Sequence, residues 1–135
     1  MPSRKAYIDK QGRIRPTEHQ EQATLFQWVF LYQRKIPALS MLFSIPNQGA
    51  ARLKNLQTEG VMRGVPDMFL AYPRAGACGL FIELKRRRSK ASDVSTEQHR
   101  WLAKLAVAGY ATAVCSGAEE AWQAILKYLE IEDPR

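Results

Sequence analysis

Two carboxylates and an amine stand where ordinary core strands carry only apolar side chains. Asp67 lies in Gly64-Val65-Pro66-Asp67-Met68-Phe69-Leu70-Ala71-Tyr72, and Glu83 and Lys85 lie in Gly79-Leu80-Phe81-Ile82-Glu83-Leu84-Lys85. Each stretch joins a turn signal to a β-rich apolar run. In the second, alternation puts Leu80, Ile82 and Leu84 on one face and Phe81, Glu83 and Lys85 on the other. Glu83 and Lys85 are therefore neighbours, roughly 6.5–7 Å apart at Cα. Burying such groups is costly unless they are paired or bind a metal. A hairpin through Pro73-Arg74-Ala75-Gly76-Ala77-Cys78 brings the start of the first strand beside the end of the second, and so Asp67 level with Glu83 and Lys85. Two carboxylates and a lysine converging at a sheet end suit a divalent-metal site with a cationic assistant. The bland alternative for the same residues is a buried carboxylate–lysine ion pair.

The elements that must position these groups can be read along the chain. Residues 1–16 are polar and basic, with Gly12 and Pro16 as breakers, and read as a flexible basic arm. Thr17 and Gln20 have capping-box spacing, which predicts a helix from Glu18 to about Arg34. Leu25, Trp28, Val29 and Tyr32 form its core stripe, while Phe26, Phe30 and Leu31 lie off it. Leu39 to Ile45 reads as a strand ended by Pro46, and Ala50 to Glu59 as a basic helix. The two charged strands follow, then the basic loop Arg86 to Lys90.

Ser95 and Gln98 predict a second capping box, and a helix to about Ala108 with Leu102, Leu105 and Ala106 as its apolar face. Gln98 shares that face, one turn before Leu102. Capping and reaching toward a site call for different directions of its side chain. Tyr110 to Cys115 is a nearly continuous apolar run, suited to a strand buried on both faces and parallel to the Glu83 strand. Ser116-x-x-Glu119 would cap a last helix with Ala121, Trp122, Ile125, Leu126 and Leu129 buried. The fold class is α/β, in the order αβαββαβα, with one mixed sheet between helices and a single domain over residues 17–135.

The chain has 135 residues and a formal net charge of +7, which favours a polyanionic partner, nucleic acid before acidic membrane. No stretch approaches the ~20 apolar residues of a membrane-spanning helix, and Met1-Pro2-Ser3-Arg4-Lys5 lacks the apolar run of a signal peptide. Cys78 and Cys115 are isolated, which reads as reduced thiols in a cytoplasm and not as a zinc site. His19 and His99 have no evident ligand partners and read as surface residues.

The ordered set of Glu21-Gln22, Ile45-Pro46-Asn47-Gln48-Gly49, Gly64-Val65-Pro66-Asp67, Phe81-Ile82-Glu83-Leu84-Lys85 and Ser95-Thr96-Glu97-Gln98 resembles the VRR-NUC branch of the PD-(D/E)XK nuclease superfamily. The likeness runs from about Glu21 to Leu129, nearly the whole chain. It implies a restriction-endonuclease-like sheet and hydrolysis of DNA phosphodiesters with Mg²⁺ or Mn²⁺. Asp67, Glu83 and the backbone carbonyl of Leu84 would be the metal ligands, with Glu21 as a further acidic group. Glu18 has the same claim from helix position, and only the family position selects Glu21. Lys85 would orient water or stabilise the transition state, and Gln98 would bond the attacking water or Lys85. Arg86, Arg87, Arg88 and Lys90, with Asn47 and Arg52, are the candidates for DNA contact.

A stand-alone domain of this size looks like a Holliday-junction resolvase, in the host cytoplasm if phage-encoded. The segment Leu25-Phe26-Gln27-Trp28-Val29-Phe30-Leu31-Tyr32 is apolar nearly all round, which argues for a homodimer able to cut two strands of a four-way junction. The rival readings are a flap or other replication-repair nuclease, and a DNA-binding or assembly module without catalysis.

Overall fold

The strand that carries Glu83 and Lys85 is an interior strand of a four-stranded sheet. A computed structural model describes residues 7–46 and 58–135. In chain order these hold β1 (Tyr7–Ile8), β2 (Ile14–Arg15), α1 (Glu18–Tyr32), β3 (Leu42–Ser44), β4 (Met68–Leu70), β5 (Leu80–Lys85), α2 (Thr96–Val107), β6 (Ala111–Ser116) and α3 (Ala118–Leu129). The main sheet runs β3-β4-β5-β6. Its first three strands are antiparallel, with Met68 opposite Ile82 and Phe69 opposite Phe81. β6 runs parallel to β5, so the sheet is mixed, as expected.

Alternation along β5 sorts its two faces. Leu80, Ile82 and Leu84 join one core with Leu25 and Val29 of α1 and Trp122, Ile125 and Leu126 of α3. Trp28 and Tyr32 pack their rings on Trp122 at centroid distances of 6.0 and 5.8 Å. Each fully buried side chain of this size contributes about 1.5–3 kcal/mol, so this layer anchors α1 and α3 to the sheet. On the opposite face Phe43, Phe69 and Phe81 form a row across three strands, with Phe69 and Phe81 stacked at 4.2 Å. α2 reaches that face through Gln98, so helices cover both sides.

Several sequence expectations need correction. The arm expected over residues 1–16 is a short antiparallel hairpin from residue 7 onward. Asp9 accepts from the backbone N–H groups of Gln11 and Arg13, and Gly12 takes φ of 73°, so polar turn chemistry supplies what the arm lacks in apolar residues. The strand expected over Leu39 to Ile45 begins only at Leu42. Pro37–Met41 is a 3-10 turn that Pro37 starts and Ser40 closes, by a 2.7 Å bond to the Pro37 carbonyl. β6 is not buried on both faces. It is an edge strand with Val114 exposed, since among the described residues no strand pairs with its other side. Ala106 of α2 is likewise exposed.

α3 is not capped by Ser116. Gly117 holds the N-cap with φ of 93° and no side-chain bond, and Ser116 instead donates its N–H to Glu120. A Cβ on Gly117 would lie 2.6 Å from a Glu21 carboxylate oxygen. The close approach of α1 therefore demands glycine there. The helix expected over Ala50 to Glu59 lies outside the described residues, except for its last two positions, which are in a turn.

Candidate active site

Asp67 enters at the sheet end because β4 stops one residue short of it. Continuing the register from Met68 and Ile82 sets Asp67 opposite Glu83. Pro66 has no N–H with which to extend the ladder. The Asp67 side chain takes over instead: its carboxylate accepts the Leu84 N–H at 2.7 Å. The N–H and C=O of one strand residue point to the same edge. The Leu84 carbonyl therefore faces the side that β4 has vacated. There a cavity of about 280 Å³ opens, bordered by Glu18, His19 and Gln22 of α1, Ser44, Asp67 and Leu84. Gln22 donates to Ser44 at 3.0 Å and so ties α1 to β3 across the cavity.

Glu83 and Lys85 are buried at the same sheet end, with Glu83 only 2% exposed. Lys85 Nζ stands 3.6 Å from Glu83 Oε1. Gln98 bridges the pair: its Nε2 donates to Glu83 Oε1 at 2.8 Å and its Oε1 accepts from Lys85 Nζ at 3.2 Å. The same Oε1 accepts the Ser95 N–H at 2.8 Å, and Ser95 Oγ accepts the Gln98 N–H, completing the capping box. The two roles do not exclude each other. The amide oxygen has two lone pairs, and its nitrogen is left to face the carboxylate. Gly64 seats this helix end against the Asp67 loop, since a Cβ there would lie 2.7 Å from the Glu97 backbone.

Burial raises the carboxyl of Asp67 above its ordinary range. Glu83 is pushed up to about 8, first by burial, then by the facing Asp67 charge, with Lys85 pulling the other way and Glu18 adding a further push. The second oxygen of Glu83 is buried and meets no N–H or O–H donor; its neighbour is the Asp67 carboxyl, with which it can share a proton. An orphaned carboxylate oxygen costs about 1–3 kcal/mol or more, unless something in the working state engages it.

The donor set fits a hard divalent cation. Asp67, the Leu84 carbonyl and the unpaired oxygen of Glu83 are all oxygen donors. Among the described residues no three His, Cys, Asp or Glu side chains form a ready cage. Mg²⁺ needs none, because it is usually held by one or two carboxylates and keeps several waters.

Glu21 and Glu18 part company. Glu21 is fully buried, and Arg87 holds it with a backbone N–H at 3.2 Å, Nε at 3.2 Å and a terminal nitrogen at 2.9 Å. Glu18 is exposed and borders the cavity with Asp67 and Leu84. The signal was present in the spacing. Glu21 lies four and eight residues before Leu25 and Val29, in line with the buried stripe at its N-terminal end. A carboxylate there needs its own cation. His19, read as a surface residue, is exposed and also borders the cavity. Arg86, Arg88 and Lys90 lie on the loop after Lys85, and Asn47 and Arg52 lie outside the described residues.

A mixed sheet with carboxylates and a lysine at the end of its interior strands, braced by helices on both faces, is a nuclease-type α/β domain. A family model for the VRR-NUC domain matches residues 9–119. The chain belongs to that family. It is similar in fold to a solved structure described as a VRR_NUC domain protein, with a TM-score of 0.73 at 23% identity over 87% of this chain and 92% of that one. No curated protein matches the chain.

Proposed function

We propose that the protein is a metal-dependent endonuclease that hydrolyses phosphodiester bonds of branched DNA, with four-way junctions as its preferred substrate. The observation that carries the reading is Glu83, a buried carboxyl with one oxygen bonded by Gln98 and the other meeting no N–H or O–H donor, beside Asp67 and Lys85. Asp67, Glu83 and the Leu84 carbonyl would hold Mg²⁺ or Mn²⁺, which when bound supplies stabilisation of the charge that builds on the phosphoryl oxygens. Glu18 is the third acidic group of this reading, because it borders the same cavity and Glu21 is committed to Arg87. Lys85 supplies a fixed positive charge toward the scissile phosphate. Gln98 holds that lysine and Glu83 at a set separation.

A homodimer belongs to the same reading. Phe30 and Leu31 of α1 are 64% and 69% exposed, and the Phe26 and Phe30 rings lie 5.7 Å apart. An isologous pairing through this helix would present two equivalent sites to two symmetry-related strands. The test is cleavage of labelled junctions, flaps, duplex and single strands with Mg²⁺ or Mn²⁺ and with EDTA, beside light scattering of the purified protein. The reading expects metal-dependent paired nicks in junctions and about twice the 15.4 kDa chain mass. Absence of cleavage on every substrate, with DNA still bound, would leave the binding-module reading. A monomer cutting flaps as readily as junctions would move the flap nuclease to first place.

A further inference from the structure

A second concave site lies beside the loop that leaves the end of β5. This groove, about 540 Å³, runs between the β1–β2 hairpin and the loop that follows Lys85. Lys10 and Arg15 border it from the hairpin, and Arg86, Arg88 and Lys90 from the loop. Its two carboxylates are already engaged. Asp9 accepts from the Gln11 and Arg13 backbone and pairs with Arg15 at 2.6 Å, while Asp93 accepts the Lys90 N–H.

Both walls are held in place. Asp9 organises the hairpin turn. The loop is pinned by Arg87 on buried Glu21, by a 2.5 Å bond between the Ser89 and Ser116 hydroxyls, and by Arg88 in the left-handed region at φ of 58°. Lys10, Arg88 and Lys90 stand exposed along the two walls, and cations gathered on one concave surface favour a polyanion.

We propose that this groove binds the sugar–phosphate backbone of the substrate a few nucleotides from the scissile bond. The proposal rests on the nuclease reading above. The chain sets the offset: Arg15 comes three residues before Glu18, and Arg87 three residues after Leu84. Three residues reach at most about 10 Å, and successive phosphates of one strand advance about 3.4 Å along the duplex axis. The groove therefore meets phosphates within about three nucleotides of the scissile bond. Single-residue base readout is not required, since contacts of this kind fix register and orientation without reading sequence.

The test measures binding of fluorescent junction DNA in EDTA across a salt series, for the wild type, Lys10→Glu, Arg88→Glu and the distant control Lys127→Glu. Each groove variant should weaken binding about tenfold at low salt and lower the slope of log K against log salt by about one. The control should change neither. Substrates with neutral methylphosphonate linkages two to four nucleotides from the cut should weaken binding to the wild type and not to the groove variants. Unchanged slopes in protein that cleaves normally would overturn the groove and leave the nuclease reading intact. Reduced slopes in protein that never cleaves would support a backbone-binding groove and overturn the nuclease reading.

Discussion

Replacing Glu83 with Gln should make the metal-free protein more stable while abolishing cleavage. Burial and the facing Asp67 push the Glu83 carboxyl up to about 8 from its ordinary 4.5. In the unfolded chain this group ionises near 4.5, whereas in the folded protein it keeps its proton until about 8. Above 4.5 the unfolded state therefore binds fewer protons than the native state, and stability falls as pH rises. The loss is about 1.4 kcal/mol per unit through this window and levels off above about 8. At pH 7 the accumulated cost is about 3 kcal/mol. Gln has no proton to lose and nearly the shape of protonated Glu, and the Gln98 bond can be kept.

Urea melts in EDTA at pH 4, 5, 6, 7 and 8 measure the effect. The two proteins should have similar stability at pH 4 and diverge steadily above pH 5, with Glu83→Gln ahead by about 3 kcal/mol at pH 7. Adding Mg²⁺ should raise the wild type and leave the variant unmoved. A Glu83→Gln protein no more stable than wild type at pH 7, with a parallel pH profile, would refute the account of Glu83 as a costly buried acid.

Glu18→Ala should fold normally and lose metal-dependent cleavage, whereas Glu21→Ala should lower stability by about 2–3 kcal/mol through the loss of the Arg87 bonds; denaturant melts beside nicking assays separate the two. Lys85→Ala should bind junction DNA with little change and cut it more slowly by a factor of about 100 or more, read from single-turnover rates. Gly64→Ala should cost more than about 1 kcal/mol, because its φ is 81° and the added Cβ meets the Glu97 backbone; a melt within error of wild type would show that α2 can move away freely.

The carboxylate pair and its lysine were legible because alternation and hairpin geometry are local rules. The register of Met68 with Ile82 delivers Asp67 to Glu83 as the spacing implied. Helix starts at Thr17 and Ser95 were legible for the same reason, each carrying a reciprocal cap. The choice between two glutamates one turn apart was legible only in part: spacing puts Glu21 on the buried stripe, but its partner Arg87 comes from far along the chain. That choice depends on how α1 rolls against β6 and α3, where Gly117 leaves room for Glu21. β6 reads as a strand buried on both faces because its composition is nearly all apolar, and composition does not reveal that among the described residues no strand pairs with its other side. The β1–β2 hairpin escaped notice because two-residue strands carry no periodicity, and its stability lies in Asp9 and its arginines.

One amide closes the first turn of α2 and spaces Glu83 from Lys85. Helix ends open and close locally at small free-energy cost, well below global unfolding. Whenever this turn opens, Ser95 and the Glu83–Lys85 pair lose the same partner together. Linkage makes the traffic two-way: a ligand that holds Glu83 and Lys85 in place must also hold the helix end shut. Occupancy of the site is thereby written into the hydrogen exchange of the Gln98 and His99 amides, which donate to Ser95. Ser95 is exposed and touches neither Glu83 nor Lys85 in this network, yet it shares with them the one amide that spaces the pair.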